Sequence, residues 1–222
     1  MFLGINLALE TYSLGLINEG KLISEINLDA ERAFSEDLIL EIDALLSRKS
    51  LSVSDLKAIG IVNGPGSYTG LRIATVVAKT LAMLQKIPVY GFSTLETIAA
   101  SFQGFDGVYF PIVKAMAGEV NAATFAVNNQ EIKRITPDFV VNLETLLKNI
   151  SQIKELVYVV DLSKKEELVR SFFPESSKVR IINDFYLRAF VIAMMAEASY
   201  LQGLPGNYQD LMPKYSYQAI RK

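Results

Sequence analysis

The most constraining feature of the sequence is an order of short apolar runs and helical stretches that occurs twice. Three runs broken by turn-forming residues predict a β-meander at about 2–9, 12–18 and 21–28. The elements predicted next are a helix at 31–49, a strand at 56–62, a helix at 71–86, a strand at 88–92 and a short helix from Ser93 to about Ser101. Strands that alternate with helices imply a partly parallel sheet, so the chain is predicted to be an α/β protein.

A similar order begins again at Gly107. Its predicted elements are strands at 108–115, 120–127 and 131–135, then a helix at 143–150, a strand at 156–160, a helix at 164–172, a strand at 179–182 and a long apolar helix at 184–202. The two halves match in element order and not in residues, which suggests duplication. We therefore expect an N-terminal lobe at 1–104, a C-terminal lobe at 105–183, and a final helix and tail at 184–222 that pack back on the first lobe.

The chain contains no histidine and no cysteine. It therefore cannot supply an imidazole base, a thiolate nucleophile or a zinc site with His or Cys ligands. Carboxylate and lysine chemistry remain open, as does Mg²⁺ held by carboxylates, so composition alone does not exclude a kinase. The 22 basic residues face 24 acidic ones, and this balance disfavours nucleic-acid binding by the chain alone.

The sequence predicts a soluble, cytoplasmic protein that does not associate with a membrane. Its start, Met1-Phe2-Leu3-Gly4, lacks the basic segment of a secretory signal. The apolar run at 189–196 is far shorter than the roughly 20 residues that a membrane span requires.

A glycine-rich turn lies between the strand predicted at 56–62 and the helix that follows it. Its residues are Gly64, Pro65, Gly66, Ser67, Tyr68, Thr69 and Gly70, followed by Leu71 and Arg72. The spacing G-x-G-x-x-x-G matches neither the phosphate loop nor the dinucleotide fingerprint. Three interpretations remain open: glycines that set backbone geometry while Ser67 or Thr69 caps a helix starting near Leu71, an anion cradle assisted by Arg72, or a turn shaped by a protein contact.

The helix after this turn is unusually apolar. Between Leu71 and Leu84 its polar residues are Arg72, Thr75, Lys79 and Thr80. A helix on one face of a sheet needs one apolar stripe and usually shows water a polar side. The helix predicted at 31–49 also has an apolar residue, Leu40, outside its stripe. Either these helices pack within the chain, or they bury a patch against another subunit.

These residues resemble a known family. The segment from Gly64 to Ile73 closely resembles the GPGSFTGLRIG signature of the TsaB (YeaZ) family. Shorter resemblances are Phe34-Ser35-Glu36 with Leu38 to the family's HSE-x-L, Ser93-Thr94-Leu95-Glu96 to its S-S/T-L-E/D, and Pro213-x-Tyr215 to its terminal P-x-Y. The resemblance covers residues 1 to about 102 well and the rest only by element order.

The resemblance implies a two-lobed fold of the actin, sugar-kinase and heat-shock-ATPase type, each lobe with a mixed sheet, a β-meander and helical crossovers. It also implies a non-catalytic, dimer-forming protein that binds a TsaD-like protein during threonylcarbamoyladenosine synthesis on tRNA. A TsaE-like ATPase would join the larger complex, and tRNA would be reached only through it. The implied contact is with TsaD, or with a second copy when the chain is alone. It involves the glycine-rich turn at 64–70, which we also call the signature turn, together with Arg72. It also involves the helix residues Phe34, Leu38, Leu40, Ile73, Val76 and Val77.

The chain departs from its ATP-using relatives at acidic positions. The string Ile5-Asn6-Leu7 stands where they have an I-D-T-like string, and Lys114-Ala115-Met116 stands where many family members have D-A-R. The chain also lacks the two histidines that ligate metal in TsaD-like proteins. We therefore expect no metal site, no catalytic residue and no cofactor bound by this chain alone, with ATP and Mg²⁺ possible only in a complex. The alternatives are an ATP-binding small-molecule kinase or ATPase of the same fold and, less favoured, a glycopeptidase-like metallopeptidase.

Overall fold

The structure is a computed structural model that describes residues 1–29, 37–116, 118–129, 131–173 and 178–216. Contacts divide the chain into two compact units. Unit 1 comprises Met1–Thr94 and Leu187–Tyr215, and unit 2 comprises Leu95–Tyr186 with Ser216. We expected the lobe boundaries after residues 104 and 183, and the contacts place them after residues 94 and 186.

Unit 1 contains a five-stranded sheet. Its strands are β1 (Phe2–Asn6), β2 (Thr11–Asn18), β3 (Lys21–Asp29), β4 (Ala58–Gly64) and β5 (Val89–Ser93), in the order β3-β2-β1-β4-β5. The first three pair antiparallel, which confirms the predicted meander, whereas β4 and β5 run parallel to β1. The carboxyl ends of β1 and β4 therefore lie side by side.

Helices cover both faces of this sheet. They are α1 (Asp37–Ser47), a 3₁₀ turn (Val53–Asp55), α2 (Tyr68–Gln85) and α6 (Ala189–Leu201). Leu45 of α1 and Ala78 of α2 belong to one core cluster with Leu3 and Ile5. Ala193 of α6 packs with Phe2 in a second cluster. Since neighbouring strand residues point to opposite sides, α1 and α2 share one face and α6 covers the other.

The last helix begins later than predicted, at Ala189 and not at 184. Long-range hydrogen bonds hold the chain before it in a non-helical form. The carbonyl oxygen of Leu187 accepts from Asn6 Nδ2 and Ser13 Oγ, both at 3.0 Å. The Glu25 carboxylate of β3 accepts from the Arg188 guanidinium at 2.8 Å and from the Phe190 N–H at 3.1 Å. Glu25 therefore caps the N-terminus of α6.

Unit 2 repeats the strand order with an interrupted meander. Its strands are β6 (Gly107–Lys114), β7 (Glu119–Ala122), β8 (Phe125–Asn128), β9 (Glu131–Arg134), β10 (Phe139–Asn142), β11 (Val157–Leu162) and β12 (Val179–Ile182). The order is β10-β7-β6-β11-β12, and β8 pairs with both β6 and β9. The continuous strand predicted at 120–127 is therefore wrong. Thr124 interrupts it, because its N–H bonds to Thr136 Oγ1 and its carbonyl accepts from the Ile135 N–H, both at 2.8 Å.

The helices of unit 2 are α3 (Thr94–Ala100, whose first residue closes unit 1), α4 (Leu143–Ser151) and α5 (Glu166–Phe172). Leu147 of α4 and Val169 of α5 pack with Val157 and Val159 of β11 in one cluster. Asn142 caps α4 by accepting from the Thr145 N–H at 3.2 Å. Within the described ranges, no helix has the length and apolar character needed to cross a membrane.

Candidate partner-binding surface

The glycine-rich turn connects β4 directly to α2. The helix begins at Tyr68, three residues before the predicted start, so Thr69 and Gly70 belong to its first turn. Ser67 is the N-cap, and its Oγ accepts from the Gly70 N–H at 3.2 Å. Of the two residues proposed as caps, Ser67 takes this role and Thr69 does not.

Two glycines let the turn lie against the chain after β1. A Cβ at Gly66 or Gly70 would come closer than 3.0 Å to the carbonyl oxygens of Ala8 and Leu7, respectively. The Ser67 N–H donates to the Ala8 carbonyl at 2.7 Å. Two N–H groups at the start of α2, those of Ser67 and Gly70, are thus bonded within the chain. These two donors therefore do not face a ligand, as donors of an anion cradle would.

Residues Leu211–Tyr215, which we call the C-terminal strap, lie over the same turn. The Lys214 N–H donates to the Asn63 carbonyl at 2.6 Å, and Asn63 Nδ2 donates to the Met212 carbonyl at 3.3 Å. Leu211 is buried in the core of unit 1, and Lys79 Nζ of α2 donates to its carbonyl at 3.2 Å. The strap is thus anchored to the end of β4 and to α2.

An aromatic contact joins the strap to the first turn of α2. The rings of Tyr68 and Tyr215 have centroids 4.9 Å apart. Arg72 Nη1 donates to the Tyr68 hydroxyl at 2.9 Å, and its guanidinium lies 5.3 Å from the centre of the Tyr68 ring. Tyr68 and Arg72 are exposed, whereas Tyr215 is half-buried.

Large apolar side chains of α1 and α2 are exposed. Val76 of α2 is 63% exposed and Leu40 of α1 is 67% exposed. The sequence reasoning did not single out three others that are also exposed, namely Ile39, Met83 and Leu84. Helical spacing from Val76 could have found Met83, which lies seven residues later on the same face. We call these five residues the apolar face.

The remaining candidate helix residues contribute less to this surface. Leu38 is only 6% exposed and belongs to the core of unit 1, so its assignment to the interface is corrected. The reason is its place on the core-facing stripe of α1 with Ile42 and Leu45. Ile73 and Val77 are half-buried and pack against the same core. Phe34 lies outside the described residues.

The two helices carry opposite charge. The charged residues within α1 are all acidic and include Glu41 and Asp43, whereas those of α2 are Arg72 and Lys79. Because both helices cover the same side of the sheet, the apolar face has an acidic and a basic side. Such a surface is complementary to a similar helix pair that meets it crosswise.

Asn6, which the resemblance compares with an aspartate of ATP-using relatives, is fully buried and hydrogen-bonded within unit 1. Its Nδ2 donates to the carbonyls of Thr11 at 3.2 Å and Leu187 at 3.0 Å, and its Oδ1 accepts from the Ala8 N–H at 3.1 Å. These bonds require both the donor and the acceptor of an amide. The side chain therefore ties strand ends together.

Lys114 is the second position at which the sequence lacks an acid that many family members have. Lys114 ends β6 and is exposed. Among the described residues, no group of three or more acidic side chains is placed to hold a metal ion.

A surface pocket in unit 2 contains none of the predicted site residues. It is lined by Gly104, Phe105, Asp106, Asn129 and Tyr158. Tyr158 stacks on the buried Tyr109 with ring centroids 4.7 Å apart, and the Tyr109 hydroxyl donates to the Phe105 carbonyl at 2.9 Å. Burial raises the pKa of Tyr109 to about 12, with a smaller contribution from the nearby Tyr158 and Asp106.

Comparisons with known proteins agree with this architecture. The model of the TsaD family, tRNA N6-adenosine threonylcarbamoyltransferase, matches residues 27–215. The tRNA threonylcarbamoyladenosine biosynthesis protein TsaB of Bacillus subtilis (strain 168) is 35% identical over 150 residues, which are 66% of each chain, just under two thirds of that relative's length. The structure of YeaZ from Pseudomonas aeruginosa matches with a TM-score of 0.77 and 19% identity, covering 96% of this chain and 98% of that one.

A protein with another name shares this fold. The ethanolamine utilization protein EutJ from Carboxydothermus hydrogenoformans matches with a TM-score of 0.52 and 14% identity, covering 87% of this chain and 89% of that one. The predicted actin-like ATPase and sugar-kinase fold is thereby confirmed, with a mixed sheet and a meander in each unit. The chain belongs to the family of the TsaD model, and within it to the TsaB (YeaZ) proteins.

Proposed function

We propose that this chain is a non-catalytic subunit that binds a TsaD-like protein and supports threonylcarbamoyl transfer to adenosine in tRNA. The observation that carries the proposal is the apolar face of α1 and α2, where Leu40 and Val76 are more than half exposed. Exposed large apolar side chains grouped on one surface are typical of a subunit contact. The name of the Bacillus subtilis relative supports the pathway.

A TsaD-like partner suits the shape and charge of this surface. Because this chain itself matches the TsaD family model, we expect a TsaD-like partner to have a related fold with an equivalent pair of helices. Two related folds can dock through equivalent helix pairs in a pseudo-twofold arrangement. The acidic α1 and basic α2 would then face helices of the partner with complementary charges. A second copy of this chain could occupy the same face when no partner is present.

The absence of catalysis by this chain is part of the proposal. Asn6 uses both ends of its amide within the chain, and Lys114 supplies no carboxylate. Chemistry with ATP and Mg²⁺ therefore belongs to the complex and to a TsaE-like ATPase within it. With 22 basic and 24 acidic residues, the chain reaches tRNA through its partner.

A reconstituted modification assay tests this function. Unmodified tRNA, the cognate TsaD-like and TsaE-like proteins and threonylcarbamoyl-adenylate are combined with or without this chain, and the modified nucleoside is quantified. We expect modification only when the chain is present, and loss of modification with Val76→Glu. Leu201→Glu is the matched control, because Leu201 is 75% exposed on α6, on the other face of the sheet. Equal modification without the chain would contradict the proposal.

A further inference from the structure

The contact between Tyr68, Arg72 and Tyr215 organises one end of the apolar face. Tyr215 packs on the Tyr68 ring, and the Tyr68 hydroxyl in turn accepts a hydrogen bond from Arg72. Backbone bonds of Lys214 and the buried Leu211 fix the strap that carries Tyr215. A residue near the end of the chain thus restricts an arginine in the first turns of α2.

This arrangement prepares Arg72 for binding. A free arginine loses rotamer freedom when an interface immobilises it, and this loss weakens binding. Arg72 is already held by a hydrogen bond and by its position over the Tyr68 ring, while the side chain remains exposed. Tyrosine and arginine are also the residue types most often found where a few side chains carry most of the binding energy.

The charge of α2 indicates what Arg72 meets. The other charged residue of this helix is Lys79, whose ammonium group donates to the Leu211 carbonyl of the strap. Arg72 is therefore the exposed cation of α2 at the strap end of the apolar face, and Lys214 of the strap is a second exposed cation there. A carboxylate is the group that a guanidinium binds best in a protein interface.

We propose that Tyr68, Arg72 and Tyr215 form a binding hot spot in which the strap positions Arg72 to pair with a carboxylate of the TsaD-like partner. The inference rests on the proposed function and adds the strap to the docking surface. It makes Tyr215 a positioning residue and Arg72 the residue that touches the partner.

Titration calorimetry with the full chain and its cognate TsaD-like protein tests the hot spot. We expect Tyr215→Ala and Tyr68→Phe each to weaken binding by about tenfold, and Arg72→Glu by about a hundredfold or more. Tyr215→Phe keeps the ring and should remain within about twofold of the wild type. Tyr186→Ala removes another exposed tyrosine and is the matched control. Raising the salt concentration should weaken the wild type more than Arg72→Ala.

The outcomes separate this inference from the proposed function. If the wild-type chain does not bind, the proposed function fails. If it binds and Val76→Glu abolishes binding, but Tyr215→Ala, Tyr68→Phe and Arg72→Ala all bind as the wild type does, only the hot spot is overturned. Thermal unfolding of each variant distinguishes loss of the binding contact from loss of the fold. If Tyr215→Ala destabilises the strap, Arg72→Ala still tests the hot spot, because it changes only the arginine.

Discussion

The backbone N–H of Lys214 donates a 2.6 Å hydrogen bond to the carbonyl oxygen of Asn63, which ties the end of the chain to the residue before the signature turn. Gly64 comes next, with a φ of 127°, and a Cβ there would come closer than 3.0 Å to the Lys214 carbonyl oxygen. The signature turn and the C-terminal strap therefore form one structural unit, although they are far apart in sequence.

Gly64→Ala should destabilise the protein and loosen the strap. A side chain at this φ costs about 1–3 kcal/mol, and the clash with the strap adds to it. The matched control is Gly104→Ala, which also has a positive φ, 94°, but has nothing within 4 Å of the added Cβ. Urea unfolding should show a larger loss for Gly64→Ala. Equal losses would mean that the close approach to Lys214 is unimportant.

Asn6→Asp should strongly destabilise the protein at neutral pH. The carboxylate would face the carbonyls of Thr11 and Leu187 without a proton to donate, and such an uncompensated buried charge costs about 3–5 kcal/mol. Lowering the pH should reduce the deficit relative to the wild type, since the protonated acid can donate one bond.

Thermal unfolding of Asn6→Asp across a pH series measures this effect. Asn142→Asp is the control, because an aspartate at this exposed helix cap accepts the same bond from the Thr145 N–H. A stable Asn6→Asp variant that binds Mg²⁺ and ATP would revive the kinase alternative.

Tyr109→Phe should lower stability at neutral pH by about 1 kcal/mol, because the bond to the Phe105 carbonyl is lost. This difference should shrink above pH 10 and then reverse, because only the wild type has a phenol that ionises on unfolding. The pKa of Tyr109 is about 12 in the folded protein, above the value of 10.0 for a free tyrosine, so the stabilising contribution is complete below pH 10 and is lost as the pH rises toward 12. Denaturant unfolding at pH 8 and above pH 10 compares the two proteins. A difference in unfolding free energy that stays constant with pH would contradict the raised pKa of Tyr109.

Local patterns predicted much of the fold because they depend on neighbouring residues. The first meander and the strand before the signature turn follow from apolar runs and turn residues. The start of α6 could not be predicted from local patterns, because the Glu25 carboxylate that caps this helix comes from β3. The break at Thr124 likewise depends on a bond from its backbone to Thr136, which apolar periodicity does not reveal.

The candidate surface was predictable in outline. The resemblance and the excess of apolar residues identified α1, α2 and the signature turn, and Leu40 and Val76 are exposed as expected. The burial of Leu38 depends on how α1 rests on the sheet. The sequence predicted that the tail packs on the first lobe, and Leu187–Tyr215 belong to unit 1. The individual contacts of the strap with Asn63 and Tyr68 could not be predicted, because they join distant segments.

Complex formation with the cognate TsaD-like protein tests the central claim most directly. Sizing with light scattering should show the wild-type chain and Leu201→Glu in a stable heterodimer, whereas Leu40→Glu and Val76→Glu, folded by circular dichroism, should elute apart from the partner. A heterodimer that forms equally well with Leu40→Glu and Val76→Glu, or no heterodimer with the wild type at micromolar concentration, would contradict the claim that the apolar face of α1 and α2 is the docking surface.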